Sequence, residues 1–339
     1  MDLLAKLCLL LIWFTNANSK STLIPSVNQS YKFSQKARED ALIVTTPRDN
    51  PYAVMVVKTN TYGGIMIQEG LCSGSLLTPD WVLTAAHCLY KNDLSCERHH
   101  AFLIYAGGNS LGELTGMASM PEGAQTSNSF SALTHPKYKN LETYYDIALI
   151  KVKFRFKLSS VIGTIPIATQ PWVEKDYVSC KTTAFGLAYS EKLTPNLDFT
   201  RKTQRSLVSM CKCRRTLKKL TGTSDWLCSM PEEDYGICWG DSGGGLVCDG
   251  KIVGVNTLIM HVKNIDKCKF GAEKPKCGSK NTMSMFTEVC NHARWIYSHV
   301  RTLNRTHFSK ECWEWRSHAS MSAPQMIFII YVVSIQWIL

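Results

Sequence analysis

From residue 41 to about residue 259 the chain alternates short apolar runs, rich in β-branched residues, with breaks made of Gly, Asn, Asp and Pro. Tyr52-Ala53-Val54-Met55-Val56-Val57, Trp81-Val82-Leu83-Thr84, Ala101 to Tyr105, Ile147 to Val152 and Lys251 to Val255 are runs of this kind. Segments of that length between turn residues read as strands. Their succession predicts an all-β sandwich or barrel rather than βαβ units. Helical spacing appears late, where Val289, Ala293, Trp295, Ile296 and Val300 recur on one face, and a second helix is predicted around Arg201 to Leu220. No internal repeat is visible, though two similar barrels need not show one.

Outside that stretch the texture changes. Residues 20–40 are polar and without period, as a pro-segment or lead-in is, and residues 303–325 are polar again, as in a stalk. The expected domain is therefore 41–302. Residues 1–19 carry Lys6, the apolar run Leu7 to Phe14 and then Ala17-Asn18-Ser19, the arrangement of a signal peptide cut after Ser19. At the other end Met326–Leu339 (MIFIIYVVSIQWIL) would make a helix of only ~21 Å at about 1.5 Å per residue, against a hydrocarbon core of roughly 30 Å. A short apolar tail behind small residues suits a GPI-attachment signal, with Ser317 or Ser320 as the attachment residue. A marginal membrane helix and a tail packed on the domain are the alternatives. The expected location is extracellular, with the membrane reached through this tail.

Composition narrows the reading. A chain of 339 residues has room for one large domain or two of ordinary size, and 45% hydrophobic residues suffice for a core. A net charge of +11 favours acidic partners, but no nucleic-acid module is present, so nucleic acid is set aside. Of the 14 cysteines, Cys8 leaves with the signal, and the odd number remaining means that at least one is free or pairs with another chain. No paired CxxC at zinc spacing occurs, and Cys211 and Cys213 stand too close together for a zinc knuckle. The cysteines therefore read as disulfides of an exported protein, and neither a metal nor another cofactor is expected. Asn28-Gln29-Ser30 and Asn304-Arg305-Thr306 are glycosylation sequons.

Three segments carry the chemistry. They are Leu83-Thr84-Ala85-Ala86-His87-Cys88, preceded by Cys72-Ser73-Gly74-Ser75-Leu76; Tyr145-Asp146-Ile147-Ala148-Leu149-Ile150; and Cys238-Trp239-Gly240-Asp241-Ser242-Gly243-Gly244. Each alone has a plain structural explanation: a packed imidazole, a turn aspartate, a tight Gly-rich turn. Together, in this order and with these flanks, they resemble the TAAHC, DIAL and GDSGG motifs of the trypsin/chymotrypsin family. The resemblance covers about residues 41 to 300, and the order His, Asp, Ser is also that family's.

The resemblance implies a pair of six-stranded antiparallel β-barrels with a C-terminal helix, and a serine endopeptidase acting on protein or peptide substrates. His87, Asp146 and Ser242 would be the catalytic residues, with the N–H groups of Gly240 and Ser242 as the oxyanion hole and Asp241 as the activation switch. By the same resemblance Cys72 pairs with Cys88, Cys180 with Cys248, Cys228 with Cys211 or Cys213, and Cys238 with Cys268 or Cys277. Cys96, Cys290 and Cys312 are left unassigned.

Several positions depart from the family's pattern. Family members are cut to expose an Ile-Val-Gly-Gly terminus, whose ammonium pairs with the aspartate standing here at 241. Counting back from Pro51 puts that terminus at Glu39, after Arg38, and Glu39-Asp40 would bring like charge toward Asp241. Ile43-Val44-Thr45-Thr46 begins four residues late. In the specificity pocket Gly236 stands where trypsin-like members carry Asp, Thr257-Leu258-Ile259 replaces Ser-Trp-Gly, and Ser284 replaces a second wall glycine. Ile259 narrows such a pocket, and the expected preference is for a small or apolar residue before the scissile bond. Gly245 stands in place of the usual proline. A non-catalytic homologue that binds partners on the same scaffold is the alternative reading. Arg201, Lys202, Arg205, Lys212, Arg214, Arg215, Lys218 and Lys219 fall within 19 residues. They form either a solvated helix face or an exosite for an acidic glycan or protein, and a lectin-like glycan binder is the third reading.

Overall fold

The computed structural model describes residues 42–314, apart from 63–64, 90–100, 140–144, 174–176, 188–198, 222–225, 232–235, 272 and 304–307. The signal peptide, the lead-in with Arg38, Glu39 and Asp40, both sequons, Cys8, Cys96 and the apolar tail with Ser317 and Ser320 lie outside these residues. Among the described residues no helix is long and apolar enough to cross a membrane.

The short apolar runs become strands of two barrels. The first closes as β2 (Ala53–Tyr62), β3 (Ile65–Thr78), β4 (Trp81–Thr84), β7 (Ala148–Val152), β6 (Gln125–Thr134) and β5 (Ala101–Ala106), every pair antiparallel. On its strands Val54, Val56, Leu76, Val82, Leu83, Ile104, Leu149 and Ile150 are all closed to solvent. Closure leaves no free strand edges, which suits a chain built from short strands.

The second barrel closes through β8 (Val178–Ala184), β9 (Lys202–Met210), β10 (Trp226–Ser229), β14 (Thr282–Glu288), β12 (Lys251–Asn264) and β11 (Gly245–Cys248). β1 (Leu42–Val44) lies along β9, and β13 (Lys269–Phe270) extends β12. Leu227, Phe286, Leu246, Val208 and Ile237 pack on one side of its core, and Trp226, Leu217, Phe270 and Met285 on another. The chain thus forms the two six-stranded antiparallel barrels that its motifs imply.

One expected element is different. The helix predicted around Arg201 to Leu220 is half strand: β9 occupies Lys202–Met210, and only α2 (Arg214–Thr221) is helical, following the short α1 (Leu111–Thr115). The charged and polar residues of β9 are not a solvated helical face. Lys202, Thr203, Gln204 and Ser206 are buried, and the backbone of this segment is paired with β8 and β10 on either side, so the ladder takes it from the helix.

Six disulfides pair the described cysteines. Cys72 joins Cys88 and Cys180 joins Cys248. Cys228 takes Cys211 rather than Cys213, and Cys238 takes Cys277 rather than Cys268. Cys213 and Cys268 pair with each other instead. The reason is local backbone. Both sit at positive φ, 65° and 48°, which turns each out of its own run and toward the other. In a second compact unit, residues 169–171 with 290 onward, a 3₁₀ turn (Cys290–His292), α3 (Ala293–His299) and α4 (Lys310–Glu314) are tied by Cys290–Cys312. α3 is the C-terminal helix that the spacing of apolar residues predicts.

Candidate active site

His87 sits in a 3₁₀ turn (Ala86–Cys88) directly after β4, and Asp146 lies two residues before β7, the strand that pairs with β4. Sheet pairing therefore brings the two together. The Asp146 carboxylate is fully buried and accepts from His87 twice: the backbone N–H reaches Oδ1 at 2.8 Å, and ring Nδ1 lies 2.7 Å from Oδ2. A carboxylate can only accept, so Nδ1 holds a proton, and in the neutral imidazole Nε2 is then the nitrogen with the lone pair. The imidazole side chain is 19% exposed, leaving that lone pair an approach from solvent.

Cys88 joins this pair to the third segment. Its Sγ, bonded to Cys72, lies 3.8 Å from His87 Nε2 and 3.8 Å from the carbonyl oxygen of Ser242. Cys72, His87 and Cys88 cluster closely enough to suggest a metal site. Their chemistry does not fit one, because both sulfurs are spent in the disulfide and Nδ1 is spent on Asp146.

The loop Cys238–Gly245 is held from below at almost every carbonyl. Leu187 donates its N–H to Trp239 O at 2.8 Å, Ser73 Oγ donates to Gly240 O at 2.8 Å, and Ser73 N–H donates to Ser242 O at 2.8 Å. Asp241 O accepts from Gly244 N–H at 3.1 Å and from Asn256 Nδ2 at 2.9 Å. In a planar trans peptide the N–H points opposite to the C=O. With the Trp239 and Asp241 carbonyls turned inward, the N–H groups of Gly240 and Ser242 are turned the other way. Gly240 has φ +90°, and a Cβ there would meet Gly186 Cα at 2.9 Å. Gly243, at φ +83°, leaves no room either: a Cβ would stand 2.1 Å from Thr84 Oγ1.

Asp241 is completely buried beneath this loop. Its Oδ1 accepts the Gly186 N–H at 2.8 Å, and Oδ2 accepts the Cys238 N–H at 2.8 Å and lies 2.9 Å from Lys202 Nζ. Its neighbour Arg201 is also fully buried. The Arg201 guanidinium donates to Gly108 O, Asn50 O and Ala53 O at 3.0, 3.0 and 3.1 Å and stacks over Phe185. Burial lowers its pKa to about 10.

The basic cluster therefore divides. Arg201 and Lys202 are internal, while Arg205, Lys212, Arg214, Arg215, Lys218 and Lys219 are exposed, with Lys212 reaching Asp266 at 3.8 Å. The exosite reading of the whole cluster is corrected by this split: two of its cations are spent on interior acceptors that lie far away in sequence.

Of the pocket positions, Gly236 and Ser284 meet. A Cβ on Gly236 would stand 3.1 Å from Ser284 Oγ, which accepts the Ile237 N–H at 3.0 Å. Ile259 pairs with Ser284 across the β12–β14 ladder and packs on the core beside Ile237. Thr257 stands at a register shift, and its hydroxyl bonds to Thr287 Oγ1 at 2.9 Å. Gly245 is packed tightly, since a Cβ would come within 2.6 Å of Ser75 Oγ. Sequence reasoning missed Lys202, Ser73, Leu187 and the 64%-exposed Trp239, which flanks Gly240 with Lys274 Nζ 5.7 Å from its ring centre. Only Trp239 and Ser73 stood inside the motifs, where their position was the available signal.

A double barrel whose facing loops carry His87 and Asp146 from one side and Ser242 from the other is the architecture of a chymotrypsin-like serine protease. The trypsin family model matches residues 44–296, and the chain belongs to that family. Among curated proteins it is similar to human Kallikrein-7, 26% identical over 225 residues, which is 66% of this chain and 76% of that protein. It is also similar to human Kallikrein-4, 27% identical over 256 residues, covering 76% of this chain and 85% of that one.

Proposed function

We propose that the chain is a catalytically active serine endopeptidase with non-tryptic specificity. The observation that carries this reading is the double clasp of Asp146 on His87, which leaves Nε2 free to act as a base, with Cys88 Sγ 3.8 Å from both Nε2 and the Ser242 carbonyl oxygen. Nε2 takes the Ser242 Oγ proton as Oγ bonds to the scissile carbonyl carbon. The carbonyl electron pair moves onto oxygen, facing the N–H groups of Gly240 and Ser242. The imidazolium, steadied by Asp146, then gives its proton to the leaving amine as the C–N bond breaks. Water repeats the sequence on the acyl-enzyme and frees Ser242.

Specificity follows from what Gly236, Ile259 and Ser284 lack. No carboxylate stands among them to pair with a substrate Lys or Arg, while Ile259 adds bulk. The preferred residue before the cleaved bond is small or apolar. Disulfide density supports export to an oxidising compartment. The expected signal, glycosylation at Asn28 and Asn304, and tail anchoring complete a cell-surface protease of protein or peptide substrates. The exposed basic residues near α2 are its surface for an acidic glycan or protein.

The test is to incubate the purified full-length chain and its Ser242→Ala variant with a mixture of peptides and map the cuts by mass spectrometry. Cuts after small or apolar residues that vanish in the variant support the reading. Equal cutting by both, or none by either, favours the non-catalytic homologue.

A further inference from the structure

The charge of Asp241 lies under the loop that carries Gly240 and Ser242, and the ammonium of Lys202 meets it at 2.9 Å, with side-chain exposures of 5% and 1% for the Lys and Asp. The same ammonium donates to the carbonyl of Leu187. Leu187 in turn holds the Trp239 carbonyl at 2.8 Å, which is what turns the Gly240 N–H the other way. Lys202 thus grips both supports of that peptide, the carboxylate one residue after Gly240 and the residue that anchors Trp239. A buried carboxylate without a cation is strongly unfavourable, so the pair is also needed to keep Asp241 inside. The incoming chain is occupied elsewhere. Leu42, Ile43 and Val44 pair in register with Gln204, Thr203 and Lys202 along β9, so Ile43 is a mid-strand residue.

We infer that Lys202 is a built-in positioning cation for the oxyanion-binding loop, so that the chain is competent without a cut after Arg38. This rests on the serine endopeptidase reading above. Lys202 touches no reacting atom. It fixes the direction of the Gly240 N–H through Asp241 and Leu187.

The experiment compares the full-length wild type with Arg38→Gln, Lys202→Met and Lys202→Arg. One readout is the labelling rate with a fluorophosphonate, in which Ser242 Oγ bonds to phosphorus, fluoride leaves and the proton passes to His87. The other is amide hydrogen exchange across residues 236–245. Arg38→Gln is expected to label at the wild-type rate while remaining uncut. Lys202→Met is expected to label about 10²–10³-fold more slowly, the scale of one lost oxyanion donor, with faster exchange confined to the loop. Lys202→Arg, which keeps the charge, recovers part of the rate; should Lys202→Met not fold, this variant and Arg38→Gln still decide.

Wild-type labelling by Lys202→Met, or labelling of the wild type only after cleavage behind Arg38, overturns the inference and leaves the protease reading standing. If no form labels, the protease reading fails. Exchange then decides the rest: unchanged exchange in Lys202→Met removes the positioning role too, and faster exchange limited to the loop retains it.

Discussion

Arg201 and Lys202 are consecutive residues whose cationic ends serve opposite walls of the interior. Arg201 donates to the carbonyls of Gly108, Asn50 and Ala53, and Lys202 pairs with Asp241 at 2.9 Å. Successive side chains of an extended segment point to opposite faces, so one short stretch entering β9 ties the first barrel on one side and the catalytic loop on the other.

Arg201→Met is expected to destabilise the fold rather than alter the chemistry. It removes the guanidinium donor from the carbonyls of Gly108, Ala53 and Asn50, of which Asn50 O keeps the Ala53 N–H at 3.1 Å, and a buried carbonyl left unpaired costs about 1–3 kcal/mol. Thermal unfolding should show a clearly lower midpoint, and labelling of whatever remains folded should match the wild type. An unchanged midpoint contradicts this role for the guanidinium.

Asp146→Asn keeps the shape of the clasp but offers an N–H where Nδ1–H needs an acceptor. The imidazole then favours the tautomer with its proton on Nε2, and a change of this kind costs about 10⁴ in kcat. Peptide hydrolysis should fall on that scale with KM little altered. A fall below tenfold contradicts the assignment.

Ser73→Ala removes the hydroxyl that donates to Gly240 O at 2.8 Å and accepts from Phe185 N–H at 2.9 Å. Two buried backbone groups lose their partner, so stability should drop by about 1–3 kcal/mol, and hydrolysis should slow because the Gly240 peptide is less firmly held. Chemical denaturation measures the first and steady-state kinetics the second. Loss of stability with full kcat limits Ser73 to a packing role.

Substrates differing only in the residue before the bond test the pocket. Those with Lys or Arg should be cleaved at least about tenfold less efficiently than those with a small or apolar residue, since a cation near Gly236 finds no counter-charge. Preference for Lys or Arg contradicts the reading of Gly236, Ile259 and Ser284.

Much of this was legible in the sequence because the informative groups are close together along the chain. His87, Asp146 and Ser242 each sit in a run of neighbours that constrains its local backbone, and the β-branched runs mark strands without outside help. What escaped was long-range. Lys202 reads as one more charge in a basic stretch, since its partner Asp241 lies far along the chain. The same burial made a strand of a segment whose Lys, Arg and Gln content suggests a helix. The choice between Cys211 and Cys213 for Cys228 turned on the positive φ at Cys213, which composition does not announce.

The central claim is that Ser242 is an activated nucleophile. It is tested most directly by treating the intact full-length chain with a fluorophosphonate and locating the adduct by peptide mass spectrometry. The account requires one covalent adduct, on the peptide containing Ser242, that His87→Ala abolishes. Absence of any adduct on Ser242 in the folded, disulfide-paired chain, or an adduct that persists unchanged in His87→Ala, contradicts it.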